Sequence, residues 1–532
     1  MAFRSLPSKV RVRYVSESLG IDTLEKSVVA SDEEQDVESV VEAILKPLDE
    51  EMSSPLLQLS GAAGSFMDLG GSNKKAEEPE VVPPEYNDVE FIDRSRFLTE
   101  FIGSVEGLEE KRPSPEEVDL FVTDCLVGNK DFMMTSKPER VMGGYYVRGT
   151  NQMVFDEKTS TTANDRLTRE VSKRLQNHPT LKDKIEFYYI LDPSPPSDED
   201  MELEVNLNPL FLITGKDPKT LYNLSSPVTK TAVTVSGLLT TFLFSIGSCV
   251  LNPKISAGIE KALDSASSSA AGTTVYIDVN WFFELCLPLY FSFLGILFAH
   301  ELGHRIVASY YKFDIGFPNV IPSLTTGLAG SITPLKSPPP NNKALFDFSI
   351  AGPLSGLVVS LGFLYVGLEL TRQIGMDANL PVLPVDLART SSLGGGMVQY
   401  YLGKYALLPG QGPGAYVELH PFAISGLIGC TINALALLPL GHTDGGRISL
   451  TMFGRRGAFV VKLFTTLILT TAGLIGLDNV NILLAYAVFT LVWQRELESP
   501  IRNEVDELDF SRGLLATASA IMVGLVLIPM TS

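Results

Sequence analysis

The sequence contains few of the residues that build a cross-linked scaffold or a cysteine metal site. Its 532 residues include four cysteines, and no two of them form a CxxC pair. This scatter argues against both a disulfide framework and a cysteine zinc site. Three of the cysteines lie in apolar runs, where we expect small buried hydrophobic residues. The four are Cys125, Cys249, Cys286 and Cys430.

Basic residues are scarce in the first part of the chain. Residues 1–225 hold 25 Lys and Arg against 43 Asp and Glu, a net charge of −18. Residues 226–532 hold 17 against 19, a net charge of −2. This acidity argues against a nucleic-acid partner, because phosphate binding needs clustered Lys and Arg. The division predicts an acidic, water-facing part joined to a nearly neutral, apolar part.

Charge is also missing over long stretches of the second part. A helix needs roughly 20 apolar residues to span a bilayer. One apolar run could be a buried core, but five or more of them with polar loops between predict a membrane protein. The runs are 231–251, 281–299, 348–368, 421–440, 458–477, 481–493 and 513–530. We predict a polytopic α-helical membrane protein with about 6–8 transmembrane helices.

The N-terminal residues are basic, contain serine and have no acidic residue before Glu17. This composition is typical of an organelle transit peptide, although an ordinary basic tail would have the same composition. An acidic stretch and a Pro- and Glu-rich stretch follow. Residues 1–112 are therefore predicted to be a transit-like N-terminus plus a largely disordered linker.

Residues 113–225 have the pattern of a small soluble α+β domain. Ser114, followed three residues later by Glu117, predicts the start of a helix. The further predicted elements are a charged helix over 164–185, a strand over 186–193 and an extended stretch over 202–215. We assign residues 226–532 to a transmembrane domain.

The motif His300-Glu301-Leu302-Gly303-His304 follows the apolar run 281–299 directly. On a helix its two histidines, four residues apart, share one face. Two such imidazoles can hold one Zn²⁺, and Glu301 can then reach a water that the metal activates. Satisfied polar residues at a helix end would explain one histidine but not the trio, and ionisable groups in a span indicate function.

A catalytic zinc site needs a third protein ligand. Asp444 follows the apolar run 421–440. A single run, 348–368, lies between the run 421–440 and the HELGH run 281–299. The two runs are therefore parallel, and His304 and Asp444 emerge on the same membrane face. His420 begins the later run and lies on the opposite face. His442 remains a competing ligand, and a plain turn at Asp444 remains an alternative.

HELGH ending a span, with Pro439 and Asp444-Gly445-Gly446 ending a later one, resembles the site-2 protease family of intramembrane zinc metalloproteases. Residues 318–356 and 418–422 resemble its chloroplast EGY-type branch. The resemblance is good over about 200–450, and the order of the HELGH, AGP and DGG motifs is highly specific.

The resemblance implies that His300, His304 and Asp444 bind one Zn²⁺ per chain and that Glu301 is the general base. It also implies a multi-pass protein of a chloroplast membrane, either thylakoid or envelope. The interpretation of the N-terminus as a transit peptide gains weight from it.

Two features depart from the family's pattern. Ala436 stands where the family often has asparagine, and Asn433 lies one turn earlier. A Gly-Asn-Leu-Arg element of the soluble domain is reduced to residues 145–149, of which only Arg148 and Gly149 match. Neither departure touches the expected ligands, and both leave substrate handling open.

Residues 323–335 are rich in Gly and Thr and lie between Pro322 and Pro334. They predict extended or re-entrant backbone, with an external loop as the alternative. Extended backbone here could pair with an unwound substrate as an added strand.

We therefore predict an intramembrane zinc metalloendopeptidase that cleaves membrane-spanning protein substrates in or near the lipid bilayer, in regulated intramembrane proteolysis. A metal-binding membrane transporter is the second hypothesis, and it would need polar residues along several spans. An inactive protease-like scaffold is the third, and it should have lost a ligand or the base. The sequence indicates neither the substrate nor the oligomeric state.

Overall fold

A computed structural model describes most of the chain after residue 111. The described residues are 112–127, 129, 132–141, 143–151, 163–191, 209–216, 227–267, 280–375, 379–408, 415–475, 482–493, 498 and 500–530. Apart from Arg112, the predicted transit-like and linker region 1–112 lies outside them, as do residues 202–208 of the predicted extended stretch.

The soluble part is an antiparallel sheet with two helices. Helix α1 (Pro115–Phe121) begins with the predicted cap: the Ser114 hydroxyl accepts from the Glu117 amide, and the Glu117 carboxylate accepts from the Ser114 amide. A π-helical turn, Val122–Leu126, follows. The remaining elements are β1 (Phe132–Met134), β2 (Glu139–Val141), β3 (Gly144–Asn151), α2 (Ala163–Asn177), β4 (Ile185–Leu191) and β5 (Pro209–Gly215).

The strands pair in the order β1-β3-β5-β4, and β2 also pairs with β3. Their core is aromatic, with the Phe211 ring centroid 4.9 Å from that of Phe132 and 4.7 Å from that of Tyr189. Helix α2 ends at Asn177, earlier than predicted, because Pro179 disfavours helical backbone at the residue before it. The predicted α+β class is confirmed, and the bounds 113–225 and 226–532 stay predictions.

The apolar part contains ten helices among the described residues, and each predicted run falls on one of seven of them. Five are long and apolar enough to cross a membrane: α3 (Pro227–Val250), α5 (Asn280–Tyr311), α6 (Asn342–Ile374), α10 (Asp444–Leu474) and α12 (Phe510–Leu527). Two are shorter: α9 (Pro421–Ala436) and α11 (Ile482–Trp493). Short helices connect them: α4 (Pro253–Ser267), α7 (Val385–Arg389) and α8 (Ser392–Leu402). The predicted polytopic class is confirmed.

Two helix boundaries differ from the prediction. Helix α5 continues to Tyr311, so HELGH lies in its interior rather than at its end. Helix α10 begins at Asp444 and bends at Gly454, whose φ of 65° interrupts the helical backbone, so the run 458–477 is only its second part. Apolarity located the lipid-facing parts of these helices but not their polar ends.

Close packing brings the central helices together. A methyl group on Gly426 of α9 would lie 2.3 Å from Leu364 N, and one on Gly367 of α6 would lie 2.0 Å from Ala423 N. Only glycine permits this approach, as is common between membrane helices.

Residues 319–332 form a hairpin of β6 (Asn319–Ser323) and β7 (Gly327–Ile332). Its backbone is extended, which agrees with the prediction of extended or re-entrant backbone rather than with the alternative of an external loop. The hairpin packs on α3, where the Thr240 hydroxyl donates to the Gly327 carbonyl at 2.6 Å. A further two-stranded sheet joins β8 (Val382–Pro384) and β9 (Tyr416–Glu418).

Candidate metal centre

Helix α5 places the two histidines of HELGH one turn apart on the same buried face. The Nε2 atoms of His300 and His304 are 3.1 Å apart. Their side chains are among the most buried polar groups, with His304 only 1% exposed. The i, i+4 spacing alone produces this convergence, as predicted.

Asp444 completes a cluster of three donors. It is the first residue of α10, and Thr443 caps this helix by accepting from the Gly446 amide at 3.1 Å. One carboxylate oxygen of Asp444 lies 3.6 Å from His300 Nε2 and 3.5 Å from His304 Nε2. The predicted trio is therefore brought together in the fold.

The donor set fits a zinc ion. One atom each from His300, His304 and Asp444 can be chosen so that all lie within 4.8 Å of one another, and all three residues are buried. Two imidazole nitrogens and one carboxylate oxygen are a known ligand set of catalytic zinc, in which a fourth position stays open to water or substrate.

Hydrogen bonds at their Nδ1 atoms orient both imidazole rings. His300 Nδ1 lies 2.8 Å from Asn433 Oδ1, and His304 Nδ1 lies 2.9 Å from the Phe348 carbonyl oxygen. The Asn433 amide nitrogen donates to the Gly429 carbonyl, which leaves its oxygen to accept from His300. An Nδ1–H that donates in this way leaves Nε2 free as a metal ligand. Asn433 thus orients His300 from a position one turn before Ala436, where the family often has asparagine.

Glu301 lies beside the histidines and is held by the hairpin region. Its two carboxylate oxygens accept hydrogen bonds from the hydroxyls of Ser331 and Thr333, each at 2.7 Å. The side chain is buried. These two partners were not predicted, since the only sequence signal was the general richness of residues 323–335 in Gly and Thr.

Comparison with known proteins finds a family that part of the chain resembles. Residues 288–477, which include HELGH and Asp444, match Peptidase family M50. Residues 288–477, called the M50 domain from here on, are similar to that family. Together with the plant relatives that follow, this match confirms the predicted resemblance to the site-2 protease family and to its EGY-type branch. No solved structure matches the chain.

Curated relatives of the M50 domain come from plants. The chain is 34% identical over 251 residues to "Probable zinc metalloprotease EGY1, chloroplastic" of Oryza sativa subsp. japonica, and 35% identical over 250 residues to the protein of that name from Arabidopsis thaliana. Each match covers 47% of this chain and 42% or 44% of the relative. "Probable zinc metallopeptidase EGY3, chloroplastic" of Arabidopsis thaliana is 32% identical over 41% of this chain and 38% of its own length.

The matched part of the chain thus spans less than half the length of these relatives. Their names, together with the apolar helices, confirm the predicted location in a chloroplast membrane. The same names and the three-donor cluster agree with the predicted zinc cofactor.

A buried ion pair between Arg447 and Glu498 lies next to Asp444. Arg447 donates to the Glu498 carboxylate at 2.6 Å and to the Thr333 carbonyl at 3.2 Å, and its guanidinium is 3.6 Å from Asp444. Burial alone would raise the pKa of Glu498, but the charges of Arg447 and His442 lower it below its ordinary value. Sequence reasoning missed this pair, because 51 residues separate its members.

The two histidines considered as alternatives lie apart from the trio. His442 Nδ1 is 3.4 Å from the Glu498 carboxylate, so His442 belongs to the neighbouring ion pair. His420 caps the start of α9, where its ring accepts from the Phe422 amide. Asn433 lies near the other end of that helix, next to His300, so His420 is far from the site as predicted.

Replacing Gly352 of α6 with alanine is expected to lower the metal affinity of the M50 domain by roughly 10- to 100-fold, the range found when groups that orient ligands are changed. A methyl group at position 352 would lie 2.2 Å from His304 Nε2 and would displace the ring. Zinc content after dialysis against a competing chelator measures the effect. Gly362→Ala is the matched control, because no atom lies within 4 Å of a methyl group at that position of the same helix. Equal zinc retention in both variants would contradict this steric role.

Proposed function

We propose that the chain is an intramembrane zinc endopeptidase that cleaves membrane-spanning proteins, with His300, His304 and Asp444 as zinc ligands and Glu301 as general base. One observation carries this proposal: the three donors converge beside a buried glutamate in the interior of an apolar helix. Such a group of ionisable side chains is costly in a span and serves function by default.

The residues of the site would share the chemistry as follows. A bound zinc ion would act as a Lewis acid and lower the pKa of water to about 7. Glu301 takes the proton of the attacking water and returns it to the leaving amide nitrogen. Ser331 and Thr333 hold the Glu301 carboxylate in place, while Asn433 holds the His300 ring.

A small cavity supplies room for the water. It has a volume of ≈ 20 Å³ and lies among α5, β7 and α9, with His300, Ser331 and Asn433 on its polar side. That volume suffices for about one water molecule. Its other lining is apolar and includes Phe293, Ile296, Leu328 and Ile432. One water molecule confined beside His300 and Ser331 would supply each hydrolytic step.

The substrate would enter as an extended strand. A transmembrane helix pairs all its backbone amides internally, so it must unwind before a peptide bond can be hydrolysed. Among the described residues β7 pairs only with β6, and Ser331 of β7 touches Glu301. An unwound segment added to β7 would therefore pass next to the general base.

The location and partners follow from the family. We propose that the enzyme acts in a thylakoid or envelope membrane, within regulated intramembrane proteolysis. The inactive-scaffold alternative has less support, because the three donors and Glu301 are all present. The transporter alternative also has less support, since the runs 231–251 and 348–368 carry no charged side chain and 281–299 carries one.

Purified full-length protein, reconstituted in liposomes with a single-span reporter, tests the function. We expect one zinc ion per chain and a cleaved reporter, with cleavage lost on chelation and restored by added zinc. An unrelated soluble zinc protease that cannot cut the reporter serves as the negative control. A reporter left intact by zinc-loaded protein would refute the proposal.

The soluble domain and the active-site opening are expected to lie on the same side of the membrane. Two candidate spans, α3 and α5, separate the domain from His304, and an even number returns the chain to its starting side. A hydrogen bond from Asn341, the cap of α6, to Asp165 of α2 at 2.8 Å agrees with this.

Cysteine labelling in sealed vesicles measures this topology, because the four described native cysteines are all buried. An impermeant maleimide should label Lys182→Cys and Asp314→Cys from the same side and Lys404→Cys from the other. All three positions are exposed. Labelling of Lys182→Cys and Asp314→Cys from opposite sides would contradict the arrangement.

A further inference from the structure

A large open cavity lies between the soluble domain and the ends of two membrane helices. Its volume is ≈ 920 Å³, within the range of ligand pockets. One wall is the face of α2 that includes Asp165, Arg169 and Lys173. The other wall comprises residues 311–314, which leave α5, and residues 336–341, which lead into α6. It is separate from the metal centre.

The cavity is positively charged, although the chain as a whole carries a net charge of −20. Among the described residues, six cationic side chains line it: Arg169, Lys173, Lys216, Lys312, Lys336 and Arg502. Of the carboxylates in the same described set, three do so: Asp165, Glu186 and Asp314. A surplus of cations on an acidic protein is a local feature that attracts anions.

Two of the three carboxylates already have partners. Asp165 accepts hydrogen bonds from the amides of Asn341 and Asn503, and Glu186 forms an ion pair with Arg502. Within the described part of the chain, by contrast, no carboxylate pairs with Arg169, Lys173 or Lys336. The cations thus remain available to an anionic ligand.

Lys336 is also close enough to Lys230 at the start of α3 for the two charges to repel each other. A bound anion would stabilise two like charges that lie close together. This repulsion supports an anion site on the wall that faces the membrane helices.

The position of the cavity selects a membrane lipid as the source of the anion. Residues 312–341 connect two candidate spans, α5 and α6, so the cavity lies where these helices leave the apolar layer. Tyr310 and Phe317, on either side of Lys312, are 77% and 73% exposed. Exposed aromatic side chains at a helix end are typical of the membrane interface, where basic pockets bind lipid head groups.

We propose that this cavity binds the phosphate group of an anionic membrane lipid, with Arg169, Lys173 and Lys336 as its main cationic contacts. The lipid tails would lie along α3 and α5, and the head group would join the soluble domain to the membrane domain. The site is independent of the proposed proteolysis, because it shares no side chain with the metal centre.

Native mass spectrometry of the full-length chain, purified in mild detergent with added phosphatidylglycerol, tests this site. We expect one tightly retained lipid per chain, and none with phosphatidylcholine, which carries no net charge. The double variant Lys173→Gln/Lys336→Gln should bind phosphatidylglycerol about 30-fold more weakly, from the effect of two basic residues near a membrane surface. Lys137→Gln/Lys182→Gln, two lysines of the soluble domain outside the cavity, should bind like the parent chain.

A second arm distinguishes the lipid from free phosphate. Inorganic phosphate and phosphatidylglycerol are each added to the lipid-free protein, and the thermal unfolding midpoint is measured. Stabilisation by the lipid, lost in the double variant of the cavity, supports the proposal. Stabilisation by inorganic phosphate alone would overturn the lipid assignment. Equal lipid retention by the cavity variant and its control would overturn the site itself.

Discussion

Replacing Glu301 with glutamine is expected to abolish reporter cleavage while leaving zinc content close to that of the parent protein. Glutamine keeps the shape of the side chain and can still hydrogen-bond water, but it cannot take a proton or return it to the leaving nitrogen. General acid–base groups contribute about 10²- to 10⁴-fold to rates, so cleavage should fall at least within that range. Metal analysis and cleavage are measured on the same liposome preparation.

The matched control for this variant is Glu284→Gln. Glu284 lies on the same helix, α5, but is exposed, and it should retain both zinc and activity. Glutamine can keep both contacts of Glu301, because one of the Ser331 and Thr333 hydroxyls can donate to its carbonyl oxygen and the other can accept from its amide nitrogen. Cleavage by Glu301→Gln at a rate near that of the parent would show that the assigned mechanism is wrong.

Helical periodicity and chain direction accounted for the placement of the metal donors. The i, i+4 spacing brings His300 and His304 together whatever the rest of the fold does. Asp444 needed a second argument, the parity of the apolar runs, and the structure brings it within 3.6 Å of both histidines. Parity worked because each apolar run crosses the layer as one helix with its backbone amides paired internally, which leaves few possible arrangements.

The groups that support these donors could not be inferred in this way. Ser331 and Thr333 reach Glu301 from a hairpin 30 and 32 residues away, and Glu498 reaches Arg447 across 51 residues. Such contacts depend on how helices and hairpin pack, which no local pattern encodes. Asn433 was noticed only as a departure from the expected position, yet its oxygen contacts His300.

In the soluble domain, too, local features could be predicted from the sequence and long-range pairings could not. The cap of α1 follows from Ser114 and Glu117, which interact locally, and it appears as predicted. The strand order β1-β3-β5-β4 rests on pairing between distant residues, such as Tyr188 with Leu212. Alternation and turn residues locate strands, but long-range packing decides which of them become neighbours.

Replacing Asp444 with alanine is expected to remove both zinc and cleavage. The change leaves two nitrogen donors where a catalytic zinc site requires three protein ligands, so metal affinity should fall by at least about 100-fold, beyond the usual effect of altering groups that only orient ligands. His304→Ala should behave in the same way. Zinc content by elemental analysis, followed by cleavage with excess zinc, measures the two losses separately.

The informative control for Asp444→Ala is His442→Ala, two residues away. His442 contacts Glu498 rather than the donor cluster, so its loss should leave zinc content unchanged. The buried Arg447–Glu498 pair remains in both variants, and unfolding midpoints should confirm that each protein is folded. Full zinc in Asp444→Ala together with reduced zinc in His442→Ala would move the third ligand to His442. Because His442 Nδ1 already lies 3.4 Å from a carboxylate that Arg447 also holds, that exchange would require the start of α10 to rearrange.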